Sequence, residues 1–170
     1  MEILRLGNEL LLQKAEPVKH IGPEYIKIAE DLIQALHKGK GIGLAGPQVG
    51  IMERIFVIHI EGGEPRVFIN PSIIETSRET VKFEEGCLSI PGVYGDVIRP
   101  QAVKVQAWNE KGRPFIIEAS GLSARVILHE NDHLEGRLFI DYLPEDKRNR
   151  IIAKMERAAL RKARPKGDKP

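Results

Sequence analysis

The chain has 170 residues, enough for one domain with a real hydrophobic core. At 42% hydrophobic and 29% charged, with 16 glycines and 11 prolines, it is too apolar for a disordered chain and too varied for a collagen-like repeat. A formal net charge of +2 does not by itself require a nucleic-acid partner, and the single cysteine, Cys87, excludes a disulfide framework and suits a reducing compartment.

Met1 to Glu9 has neither the basic start nor the apolar run of a signal peptide. No apolar stretch approaches the roughly 20 residues that span a bilayer. A cytoplasmic protein without a membrane partner is expected. From Pro23 to His37, apolar residues at Ile26, Ala29, Leu32, Ile33 and Leu36 follow helical spacing, with Gly39 and Gly41 as the stop. Arg54 to Ile60 is apolar and β-branched, which predicts a buried strand. Arg66 to Asn70 predicts a second, closed by Asn70-Pro71. Glu79 to Phe83 alternates weakly. Ala102 to Trp108 sets Val103, Val105 and Ala107 against Lys104 and Gln106, and Asn109-Glu110-Lys111-Gly112 turns the chain into a returning strand, Pro114 to Ala119.

Helical spacing returns from Ser123 to Leu134, with Gly136 as its stop. A last helix is predicted over Leu143 to Lys162, with Ile151, Ile152, Met155, Ala158, Ala159 and Leu160 on one face. No repeat or linker divides the chain. The expected fold class is α+β: short mixed or antiparallel strands packed around a central helix, with N-terminal and C-terminal helices beside them. One domain is expected over residues 1–164, and a basic disordered tail over 165–170.

Three segments carry chemistry. His129-Glu130-Asn131-Asp132-His133 is an H-E-x-x-H pattern within the predicted central helix. Residues i and i+4 share a helix face, so both imidazoles can bind one cation, and the glutamate between them can take a proton from water held there. The pattern also fits a salt-bridged surface face. A catalytic site needs a third protein ligand: Glu135, Asp141 and Glu145 lie downstream, and Cys87 lies upstream in Glu84-Glu85-Gly86-Cys87-Leu88-Ser89. Gly86 would let backbone approach a ligand closely, although a lone cysteine is commonly just buried. The third segment, Gly41-Ile42-Gly43-Leu44-Ala45-Gly46-Pro47-Gln48, lacks both the G-K-[ST] ending of a phosphate loop and the third glycine of a dinucleotide fingerprint. Its glycines suit main chain running beside an extended substrate, with Gln48 as an amide donor.

Together, in this order and at these separations, the three segments resemble the signature motifs of the peptide deformylases, and the resemblance covers nearly the whole chain. It implies a metal held by Cys87, His129 and His133, with Glu130 as general acid/base. Gln48 and the backbone N–H of Leu88 would steady the oxyanion, and Gly43 would align substrate. It also implies an ion pair between Glu85 and Arg99 bracing the cysteine loop. The implied reaction removes formyl from the formyl-methionine of nascent peptides, releasing formate. The implied cofactor is one divalent ion, Fe(II) in the cell, with Zn(II), Ni(II) or Co(II) able to substitute. Ile42, Leu44, Leu122 and Val126 are expected to form the methionine pocket. Two positions depart from the family pattern: Gly46 stands where alanine is usual, and Leu128 where glutamine precedes the first histidine. A zincin-type endopeptidase would instead place its third ligand after His133. The basic run Arg157, Arg161, Lys162 and Arg164 suggests a ribosome contact beside the emerging chain.

Overall fold

The computed structural model describes residues 1–164. The expected tail at 165–170 lies outside them. Helix α1 (Glu24–Gly39) ends slightly later than the glycine pattern suggests. Gly39 is still helical, and Lys40 takes the left-handed conformation, donating its N–H to the carbonyls of Leu36 and His37. Strands β1 (Gly43–Ala45), β2 (Ile55–Ile58), β3 (Arg66–Thr76), β4 (Thr80–Cys87), β5 (Ile90–Pro100), β6 (Ala102–Trp108) and β7 (Pro114–Ser120) follow. Helices α2 (Gly121–Leu134) and α3 (Glu145–Ala163) complete the chain.

The strands form an antiparallel five-stranded sheet in the order β1-β2-β3-β6-β7 and a separate hairpin, β4-β5. The larger sheet is covered on both faces. Ile55 and Val57 of β2 pack toward Leu32 and Leu36 of α1, while Phe56 and Ile58 pack toward Ala124 and Ile127 of α2. That double burial explains why β2 reads as a continuous apolar run rather than an alternating one. β6 keeps the strict alternation: Val103, Val105 and Ala107 all face α2. Phe56 stacks on Phe68 with ring centroids 4.7 Å apart. Burying each such ring stabilises the fold by about 1.5–3 kcal/mol relative to exposure.

Three elements differ from expectation. β3 does not stop at Asn70-Pro71 but runs on to Thr76. Asn70 adopts φ 49, the pairing with β6 shifts between Ile69 and Ser72, and Pro71 sits in that irregularity, where a missing N–H costs no ladder bond. The Asn70 side chain holds the bend by bonding both the N–H and the carbonyl of Val18. Strand β5 is not predicted at all, because Pro91, Gly92, Gly95 and Pro100 read as loop punctuation. Its strand character comes from full-length pairing with β4. Finally, only the first half of α3 is packed. Ile151 is buried with Ile152 and Met155 beside it, whereas Ala158, Ala159 and Leu160 are exposed. The third apolar cluster, Leu11, Ile90, Val97, Phe139, Ile140 and Leu143 among its members, anchors the hairpin against the segment after α2.

Candidate metal centre

Helix α2 lies with its apolar side on the sheet and turns His129 and His133 to one face, their rings 5.1 Å apart at the centroids. Cys87 arrives from the other sheet. It closes β4 at a tight turn in which it pairs with Ile90, and the register shifts between Gly86 and Cys87. Such irregularities re-aim side chains beside functional sites. The ligating atoms of Cys87, His129 and His133 all lie within 4.8 Å of one another, the one such group of three among the described residues. Cys87 Sγ is 3.4 Å from His133 Nε2.

Of the two candidate imidazole ligands, His129 is oriented by a hydrogen-bond partner, whereas His133 Nδ1 has none among the described residues. The His129 Nδ1–H donates to Glu85 Oε1 at 2.9 Å, which leaves Nε2 as the nitrogen a cation would take once its proton is displaced. Glu85 in turn accepts from Arg99 at 2.6 and 2.9 Å and from Arg125 at 2.6 Å. Arg99 also donates to Asp132 at 2.8 Å, and Asp132 accepts from the Tyr142 hydroxyl. Burial alone would raise the Glu85 carboxyl, but His129 and Arg99 outweigh it and hold the group down at about 2. Burial pulls His129 down as well, yet its contacts to Cys87 and Glu85 leave it well above the ordinary value. His133 has no such acceptor and is lowered, by burial first and then by the charges of His129 and Arg99. Protons and cations compete for the same imidazole nitrogens.

Gln48 is buried, and its amide orientation is set on both sides. Its Oε1 accepts the Ala45 N–H at 2.9 Å; its Nε2 donates to Ser89 Oγ at 3.2 Å and lies 3.4 Å from Cys87 Sγ. Glu130 is 4% exposed, and its Oε2 has no hydrogen-bond partner among the described residues. Burial pushes this carboxyl up to about 7, with the His129 charge opposing and the Glu85 charge reinforcing. A neighbouring cation would pull that value back down. The donor set fits a divalent ion: a thiolate, two imidazoles, each reached from a rigid element, and an unpaired buried carboxylate beside them.

A cleft of about 530 Å³ opens over this group. Of the residues expected to bind substrate, Ile42, Gly43, Gly86, Leu122 and Val126 line it, as do Gln48 and Leu88. Leu44 does not. It is fully buried in the α1 cluster, because neighbouring residues on β1 point to opposite faces. At Gly86, which lines the cleft, a Cβ would sit 2.8 Å from the ring of the exposed Tyr94. Similarly, a Cβ on Gly43 would come within 2.8 Å of the Glu130 carboxyl carbon. The two departures from the family pattern leave the cleft untouched. Leu128 packs on the core between α2 and the sheet. Gly46 is needed by this backbone, since a Cβ would lie 2.6 Å from the Ile51 carbonyl oxygen. Of the downstream carboxylates, Glu135 is engaged with Arg54 and Lys14 and Asp141 with Arg148 and the Leu138 N–H, and neither these nor Glu145 joins the histidines. Sequence reading missed Arg125 and Ser89. Ser89 stood inside a quoted motif, but Arg125 has no local signal, because its three acceptors are remote in sequence.

A family model described as polypeptide deformylase matches residues 1–149. The peptide deformylase of Borreliella burgdorferi is 45% identical over 153 residues, 89% of this chain and 93% of that protein. That of Neisseria meningitidis serogroup C is 43% identical over 159 residues, 92% of this chain and 95% of that protein. The crystal structure of Ehrlichia chaffeensis peptide deformylase in complex with actinonin superposes with TM-score 0.89 at 37% identity, covering 93% of this chain and 96% of that one. The Thermus thermophilus enzyme superposes with TM-score 0.85 at 36% identity, over 94% and 95% of the two chains. This chain belongs to the polypeptide deformylase family.

Proposed function

We propose that the chain hydrolyses the N-formyl amide of peptides beginning with formyl-methionine, releasing formate and a free amino terminus. The observation that carries this reading is a buried Glu130 with an unpartnered oxygen, next to three converging ligand atoms, at the floor of an open cleft. Cys87, His129 and His133 would hold the divalent ion. Once bound, that ion supplies Lewis acidity and lowers the pKa of water from about 16 toward 7.

The chain's own groups do the rest. Glu130, shielded from solvent and beside the three converging ligand atoms, takes a proton from the attacking water and returns it to the leaving amine. Gln48 Nε2, its amide fixed by Ala45 and Ser89, offers an N–H to the oxygen on which charge develops, together with the Leu88 backbone. Losing one such donor costs about 100- to 1000-fold in rate. Ile42, Leu122 and Val126 supply the apolar wall for a methionine side chain.

The softness of a thiolate with two imidazoles favours Fe(II) or Zn(II), and we assign Fe(II) as the cellular ion. Formate release from formyl-Met-Ala-Ser, measured anaerobically with Fe(II), Ni(II) or Co(II), tests the function directly. Glu130→Gln should retain metal and lose turnover, whereas Cys87→Ala should lose both. Absence of formate with all three ions refutes the assignment. Among the described residues no helix is long and apolar enough to cross a membrane. Action on nascent peptides implies the cytoplasm as the place of work. The exposed Arg157, Arg161 and Lys162 of the last helix, with Arg164 just beyond it, support a contact with ribosomal RNA. Unchanged co-sedimentation with ribosomes after removing residues 160–170 would dispose of that contact.

A further inference from the structure

We propose that His37 and His59 form a second divalent-cation site, on the outside of the cleft wall and separate from the Cys87 centre. His37 lies in the last turn of α1, and His59 follows directly on β2. Their ring nitrogens, His37 Nε2 and His59 Nδ1, face each other at 2.7 Å. The hydrogen bonding fixes which nitrogen is free. His59 Nε2 is 3.0 Å from the Gly63 carbonyl oxygen, which can only accept, so that nitrogen carries the proton. His59 Nδ1 is therefore a bare lone pair directed at His37. Moving the His37 proton from Nε2 to Nδ1 leaves two lone pairs converging on one point. An ion bonded to both at about 2.0–2.1 Å in a near-tetrahedral shell requires the nitrogens to separate by about 0.6 Å and the rings to turn off their common axis. The exposed His37 ring has room for that.

Imidazole pairs of this kind take zinc-, nickel- or copper-class ions rather than calcium or magnesium. No carboxylate or thiol joins them as a third ligand among the described residues, so water completes the shell and binding is weaker than at Cys87. The location gives the site a consequence. His59 donates its backbone N–H to the Ile42 carbonyl, and residues Gly39 to Ile42, which run between the two histidines, line the cleft. A cation joining the imidazoles would tie both ends of that wall together.

The test titrates zinc into protein already carrying one zinc at the Cys87 centre, so that the same ion occupies both sites and exchange is silent. Calorimetry should show a further equivalent on the parent protein. His37→Gln and His59→Gln should each weaken it at least tenfold while keeping the first zinc. No further equivalent on the parent, or one bound equally well by both variants, overturns the proposal. Because neither histidine touches the Cys87 group, this outcome is independent of the formate assay. If one variant does not fold, the other carries the comparison.

Discussion

Replacing Arg125 with methionine tests whether the metal centre depends on how the β4-β5 hairpin is fastened to α2. The two are separate layers: Cys87 belongs to the hairpin, His129 and His133 to the helix. Arg125 joins them from a buried position, donating to Glu85 Oε2 at 2.6 Å, to the Val97 carbonyl at 2.9 Å and to the Val81 carbonyl at 2.6 Å. Methionine keeps the aliphatic bulk and removes all five donors. Val97 is 1% exposed, so its carbonyl is left dry and costs about 1–2 kcal/mol. Val81 is 40% exposed, so water can replace most of that bond. Glu85 keeps Arg99 and His129 and is spared the full penalty of an isolated buried charge, losing about 1–2 kcal/mol. The sum is about 2–4 kcal/mol, a large fraction of the about 5–15 kcal/mol that holds such a domain together. Denaturant unfolding of the zinc-loaded variant should show this loss, and a chelator should strip its zinc faster than from the parent. Arg125→Lys, which keeps the charge and part of the donor set, should recover some of both. A loss under about 1 kcal/mol with unchanged zinc release would refute the idea that this side chain holds the two halves of the centre together.

Other perturbations have equally definite outcomes. Gly46→Ala, which restores the residue usual in the family, should destabilise this chain by about 1–3 kcal/mol, read as a lower Tm, because its Cβ meets the Ile51 carbonyl 2.6 Å away. A neutral or stabilising result would mean that the backbone there yields. Gly43→Ala should displace the Glu130 carboxyl and lower kcat by about 100-fold with zinc still bound. Tyr25 is buried and donates to Glu53 at 2.9 Å, and burial followed by that carboxylate raises its phenol from 10.0 to about 12. The folded state therefore keeps the proton more tightly, so the contribution is complete below pH 10 and falls as pH rises from 10 to 12. The loss is on the order of 2 kcal/mol. Tyr25→Phe should flatten that alkaline decline in urea-melt stability; an unchanged slope would contradict it.

Much of the architecture could be read before folding was considered. Helix α2, the β6-β7 hairpin and the buried strand β2 follow from periodicity, because each buries a face whose spacing is written locally. Strand β5 could not be read that way. Its prolines and glycines look like loop, and only the ladder to β4 makes it a strand. The same holds at Asn70-Pro71, where a bend held by Val18, fifty-two positions away, lets β3 continue.

The candidate ligands divide along the same line. His129, Glu130 and His133 are adjacent on one helix turn, so the sequence alone was enough to place two imidazoles and a carboxylate together. That Cys87, more than forty positions earlier, meets them within 4.8 Å is a tertiary fact, as are the Glu85, Arg99 and Arg125 contacts that orient them. So is the burial that brings Glu130 to about 7, and so is the removal of Leu44 from the pocket into the α1 core. Residue type and local spacing decide which groups can bind a cation or carry a proton. Desolvation, charge proximity and which face a strand turns inward depend on packing between distant segments, and those were decided only when the sheet closed on its two helices.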